Sequence, residues 1–158
     1  MPQMPYTSVN RTEVDHWRHV RAPYGIGYRI KLLSQLMSRK LQERLEPFGL
    51  TPFHWVVLCC LWDEDGLPTS SIGEKLQQVG GTLTGVLDRM EERSLVRRER
   101  DIDDRRIWRI WLTEEGKLLE TVLPPIVAEV PEQAMKGIPA AQRELFSQLV
   151  DQAIAHLS

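Results

Sequence analysis

The chain has 158 residues, a formal net charge of −2, 42% hydrophobic residues and 27% charged residues. That is enough for one globular domain with a proper core. It is too acidic to coat nucleic acid by bulk charge, and no apolar run reaches the length of a membrane span. The polar start has no basic region ahead of an apolar one, so no secretory signal is expected. The only two cysteines, Cys59 and Cys60, are adjacent and read as reduced, in a cytoplasmic protein.

Residues 1–23 form a polar, proline-containing lead, in which Val14, Trp17 and Val20 are spaced for a short amphipathic helix. From Gly25 a long helical stripe begins, with Ile26, Ile30, Leu33, Met37, Leu41 and Leu45 at three- and four-residue steps. Pro47 and Gly49 end it. Thr51 is a good N-cap and Pro52 suits the first helical position. The helix that follows, FHWVVLCCLW, is apolar nearly all round and belongs in the middle of a core. Residues 63–67 are expected to turn, and Pro68-Thr69 to open a short helix with Ile72 and Leu76 inward. Residues 77–81 read as a polar turn.

A fourth helix is predicted over about 82–93. Leu83, Val86, Leu87 and Met90 form its buried stripe, with Thr82, Gly85 and Arg89 on the opposite face and Thr84 and Asp88 beside them. Residues 95–100 and 107–112 read as two strands of a hairpin that turns at 101–104. Thr113 should cap a further helix, with Glu114 and Glu115 in its first turn, where carboxylates suit the dipole. Pro124-Pro125 should kink or break that helix. A last helix is expected from Ala140 to about Leu157.

This order predicts a mainly α fold with a small β-hairpin wing: a winged helix-turn-helix domain plus a helical region that makes a dimer. The long apolar stripes at both ends need a partner, and the simplest is a second copy of the chain. The arginine-rich hairpin then has a purpose. A DNA reader needs cations where its elements touch phosphates, and the narrow, negative minor groove attracts an inserted arginine. The candidate DNA contacts are Thr82, Thr84, Gly85 and Arg89 on the fourth helix, with Arg97, Arg105 and Arg106 on the hairpin. Asp101 and Asp104 are read as wing-orienting, through pairing with Arg97, Arg105 or Arg106, so that a long side chain loses less entropy on binding. The competing reading of such a mixed-sign run is solvated surface that blunts an edge strand.

Several stretches resemble the MarR family of transcription regulators. LTPFHWVVLCCLW is similar to the family's second helix, PTSSIGEKL to its third, and TLTGVLDRMEERSLVRRERDIDDRRIWRIWLTEEG to its recognition helix and wing. The D-x-x-D-R-R run and the following L-T-x-x-G are the most specific part, carried by Asp101, Asp104, Arg105, Arg106, Leu112, Thr113 and Gly116. The resemblance implies a single domain over 1–158, with dimerisation helices in 1–48 and 117–158 and a winged DNA-binding lobe over 50–116. It further implies a homodimer on a near-palindromic double-stranded operator, and a repressor released by a small-molecule or redox signal. Gly85 departs from the larger polar or basic residue that many members carry.

Trp17, Tyr24, Tyr28, Trp55 and Cys59 could line an effector pocket or simply pack a core and a dimer. The family suggests a small aromatic or amphipathic effector. Cys59 and Cys60 could serve a redox response, although nothing basic lies beside them to activate a thiol. His16 and His19 could share a helix face, but no metal ligand set is assigned. No catalytic motif is present, so no enzyme and no cofactor are expected. The alternative to a DNA reader is a winged-helix module that uses the same surfaces for protein contacts.

Overall fold

The computed structural model describes residues 15–77 and 80–158. Val14 of the expected N-terminal helix and residues 78 and 79 of the expected polar turn lie outside them. The helices are α1 (Ile26–Leu45), α2 (Pro52–Asp63), α3 (Thr69–Leu76), α4 (Gly80–Glu92), α5 (Glu114–Ala134) and α6 (Ala140–Leu157). The strands are β1 (Leu67–Pro68), β2 (Val96–Arg100) and β3 (Trp108–Leu112). The chain divides into two units, Met1–Arg39 and Lys40–Ser158.

In the first unit Asp15 and His16 are helical and continue into a 3-10 helix, Trp17–Val20. The Trp17 ring stacks on His19, and the Arg18 guanidinium lies 4.3 Å from the Tyr24 ring centre. His19 Nδ1 is 2.9 Å from the carbonyl of His16. Among the described residues no group of three or more His, Cys, Asp or Glu is placed to hold a metal ion, and no helix is long and apolar enough to cross a membrane.

The second unit is organised around α2, whose Val57, Leu58 and Leu61 are fully buried. They meet Leu45 and Leu50, Ile72 of α3, Leu83, Leu87 and Met90 of α4, Ile110 and Leu112 of β3, and Leu123 of α5. A helix apolar on nearly every side can be buried on nearly every side, and α2 touches α3, α4, α5 and β3. Its start is a capping box. Thr51 Oγ1 accepts from the His54 N–H, and His54 Nδ1 accepts from the Thr51 N–H at 3.1 Å. Thr51 and Pro52 were legible as a helix start, whereas the part played by His54 was not.

The sheet has three strands where the sequence suggested two. β1 was read as turn and helix start, but Leu67 and Pro68 pair antiparallel with Ile110 and Arg109, giving the order β1-β3-β2. Two residues carry no alternation to detect, and this pairing depends on a strand more than 40 positions away. Proline is tolerated because β1 is an edge strand. β2 and β3 pair with Val96 opposite Leu112 and Arg100 opposite Trp108.

The Thr113 side chain accepts from the Gly116 N–H at 3.1 Å and so caps α5. Gly116 itself is required by close approach, since a Cβ there would collide with the Leu95 carbonyl. Its own carbonyl accepts from Trp62 Nε1 at 2.9 Å. The L-T-x-x-G run is therefore the joint between wing, α5 and α2. The expected break at Pro124-Pro125 does not occur, and α5 continues through both residues and Pro131. Each internal proline removes a hydrogen bond and crowds the preceding turn. Leu119, Leu123 and Val127, packed against the core on either side, hold the segment helical.

His54 is buried, and its pKa is pushed below 6.5, chiefly by burial and then by Arg93 and Arg89. The unfolded chain therefore binds the proton more readily, and stability rises with pH across the window below 6.5 and is fully present above it. His54→Gln keeps an acceptor for the Thr51 N–H but cannot titrate. Thermal melts from pH 7.5 down to pH 5 should show a steeper fall in Tm for wild type than for the variant. Equal slopes would mean that His54 does not carry the acid sensitivity.

Candidate nucleic-acid interface

Helix α4 is oriented by its buried side, where Leu83, Leu87 and Met90 are at most 1% exposed. That leaves Thr82, Thr84, Gly85 and Arg89 exposed. The end of α4 is fixed at two levels. Arg93, just beyond it, donates to the Gly49 carbonyl and, at 2.6 Å, to the Phe48 carbonyl ahead of α2. Ser94 then takes a left-handed conformation (φ 57°), and the Leu95 N–H returns to the Met90 carbonyl at 2.9 Å.

The wing is tied to α4 by Arg98. Its guanidinium donates to Asp88 and to Glu91, and its backbone N–H donates to Glu91 Oε2 at 3.0 Å. Arg98 was absent from the sequence-based site. Because side chains alternate along a strand, its neighbour Arg97 points to the opposite face of the sheet. There Arg97 pairs with Glu99 and lies 5.8 Å from the Trp111 ring centre. Arg97 therefore lies on the sheet face away from α4. Arg100, two residues beyond Arg98, shares its face and sits 3.8 Å from the centre of the Trp108 ring.

The two aspartates at the hairpin tip have different partners. Asp104 grips Arg106 with both oxygens, Oδ1 to Nε at 3.0 Å and Oδ2 to Nη2 at 2.9 Å. The Asp104 carboxyl is held below its usual range mainly by that bond. The Arg106 side chain nonetheless remains 91% exposed, so the pairing aims it without covering it. Asp101 pairs with none of Arg97, Arg105 and Arg106; its partner is Arg109. The hairpin register explains this, since Arg109 stands across from Glu99 on β3 and reaches the start of the turn. Asp101 Oδ1 also accepts from the N–H groups of Asp103 and Asp104, both at 2.9 Å. Its pKa falls to about 2, with the Arg109 bond the largest cause and the two backbone bonds next. Asp101 thus shapes the turn, and Asp104 sets one arginine. Arg105 is exposed and forms no ion pair among the described residues. Ile102, 92% exposed, stands beside them at the tip.

Between α3, α4 and the wing lies a cleft of about 380 Å³, lined by Thr69, Ser70, Thr84, Leu87, Arg98, Arg106, Ile107 and Trp108. The residues read as an effector pocket fall in both units: Trp17, Tyr24 and Tyr28 in the first, Trp55 and Cys59 in the second. Trp55 packs edge-on against Trp62. Cys59 and Cys60 are both half-buried. The Cys59 thiol is pushed up to about 11, chiefly by burial, and burial also raises Cys60.

Comparison with known proteins bears on this arrangement. Residues 50–108 match the model of the MarR family. The chain is 33% identical over 123 residues to the transcriptional regulator HosA of Escherichia coli O127:H6, covering 78% of this chain and 90% of HosA. Among solved structures it resembles a MarR transcriptional regulator from Methanosarcina mazei Go1, with a TM-score of 0.78, 27% identity, and 83% of this chain and 94% of that one covered. It also resembles MepR of S. aureus, solved as a DNA complex, with a TM-score of 0.76, 25% identity, and 83% and 97% covered. Core helices, three-stranded sheet and wing motif together agree with these relatives, and the chain belongs to the MarR family of DNA-binding, winged-helix transcription regulators.

Proposed function

We propose that the protein is a homodimeric repressor that reads a near-palindromic operator and is released by a small aromatic or amphipathic effector. The observation that carries the reading is the pre-set wing: Arg106 held in the fork of Asp104, beside an unpaired Arg105 on a turn shaped by Asp101. In this reading α4 enters the major groove with Thr82, Thr84, Gly85 and Arg89 toward the bases. Arg105 and Arg106 reach the adjacent minor groove. A phosphodiester strand crosses the cleft between them, where Ser70, Thr84, Arg98 and Arg106 supply donors. Arg97, on the far face of the sheet and paired with Glu99, makes no DNA contact in this reading.

The homodimer is supported by apolar surface that a lone chain leaves in water. On α6, Leu145 and Leu149 are each 53% exposed and Ile154 is 56% exposed, and on α1 Ile26 and Ile30 are exposed as well. Exposed apolar faces of this kind mark an interface, and a two-fold dimer matches a two-fold operator. The residues 1–48 and 117–158 are the proposed dimerisation segments, and 50–116 the proposed reading lobe. Release by thiol oxidation is disfavoured, because the thiols that would act are kept protonated.

Selection of duplexes from a random pool, followed by anisotropy over a salt series, tests the function. An enriched palindrome with a steep salt slope is expected. Absence of any enrichment by the effector-free protein would reject the reading. Arg105→Ala with Arg106→Ala should weaken binding and lower the salt slope by about 2, roughly one for each cation removed. Its Tm should stay close to wild type, because the Asp104–Arg106 pair is exposed. Asp104→Ala makes the wing more positive yet should lower the preference for the selected site over a scrambled duplex, because Arg106 is no longer aimed. A preserved preference would reduce Asp104 to a surface charge. Sedimentation should give a dimer at micromolar concentration, and a monomer there would sink the two-fold reading.

A further inference from the structure

We propose that Gly85 is a clearance position, a bare stretch of recognition-helix backbone that lets a base-pair edge come closer than any side chain would allow. The inference rests on α4 being the DNA-reading helix and assigns this residue its part in specificity.

A glycine inside a helix is less favourable than an alanine, so its presence needs a reason. At two other glycines the reason is visible, whereas Gly27, in the first turn of α1, has open space as Gly85 does. At Gly116 a Cβ would strike the Leu95 carbonyl, and at Gly66 it would lie 2.5 Å from the Trp111 ring. At Gly85 a Cβ would meet no heavy atom within 4 Å, and the backbone there is that of an ordinary helix. Neither packing nor conformation within the chain explains it. The buried Leu83 and Leu87 fix the rotation of α4, so the gap faces outward. Thr82 and Arg89 flank it on the same face at helical spacing, a short hydroxyl on one side and a guanidinium on the other. The surface is therefore a notch between two hydrogen-bonding side chains. In the major groove such a notch admits the edge of one base pair while its neighbours are read by those side chains.

The test uses Gly85→Ala and a duplex selected from a random pool by the wild-type protein, with a scrambled duplex of equal length beside it. The variant should melt at a higher temperature, because alanine favours the helix and has open space. It should bind the selected duplex at least about tenfold more weakly and the scrambled duplex unchanged, since phosphate contacts carry the latter. Undiminished binding of the selected duplex would overturn the proposal, as would an equal loss on both duplexes. A lower melting temperature would overturn the premise that the chain itself has no use for the glycine. If the wild-type protein selects no sequence at all, the DNA reading of α4 falls first, and that failure is seen before the variant is used.

Discussion

The geometry of the reading surface depends on Arg98. This half-buried guanidinium leaves β2, meets Asp88 and Glu91 on α4, and is joined by the backbone bond from its own N–H to Glu91. A single exposed ion pair contributes little to stability. Here one cation answers two carboxylates, a backbone bond shares one of them, and the strand that carries it is paired along its length. Helix α4 and the wing are therefore tied to one another. The distance from Thr82 and Arg89 to Arg105 and Arg106 is set before any partner arrives, and rigidity of this kind reduces the entropy lost on binding.

The same pairing resolves the conflict between an acidic chain and an anionic partner. Most carboxylates near the proposed reading surface are occupied: Asp88 and Glu91 by Arg98, Asp101 by Arg109, Asp104 by Arg106, and Glu99 by Arg97, while Asp103 at the hairpin tip forms no ion pair among the described residues. Their charges are balanced locally, while Arg89 and Arg105 form no ion pair among the described residues. The hairpin as a whole keeps a positive excess, with six arginines against four carboxylates over residues 96–112, whatever the sign of the total.

The helices were legible because each carries a repeating apolar stripe, and the helix starts because Thr51 and Thr113 are caps. The hairpin was legible because an aspartate-rich turn separates a short run opened by Leu95 and Val96 from the apolar run of residues 107–112. What escaped was whatever depends on partners far apart in the chain. The β1 strand is two residues whose identity as a strand comes from Ile110 and Arg109. The Arg98 clamp joins positions seven and ten apart across a chain reversal, so no helical or strand spacing announces it. Asp101 was correctly placed at the turn, but its partner followed from hairpin register, which charge order does not reveal. At Pro124 and Pro125 the helix is not broken, because core contacts on either side, which local backbone preference does not include, hold it.

The adjacent thiols show how burial decides between regulatory routes. Cys59 and Cys60 lie in α2, the helix that touches α3, α4, α5 and β3, so a chemical change there would reach the reading head directly. Position alone would make them good sensors. Their environment opposes it, since burial raises both pKa values and Asp63 adds to the effect. Lys75, the one charge that lowers the Cys60 pKa, does not offset its burial. A thiol that stays protonated is a slow nucleophile toward an oxidant. Cys60 packs instead against the core as a small apolar side chain. In the proposed dimeric reading, a bound molecule that alters the spacing of the two heads is the favoured signal over thiol oxidation.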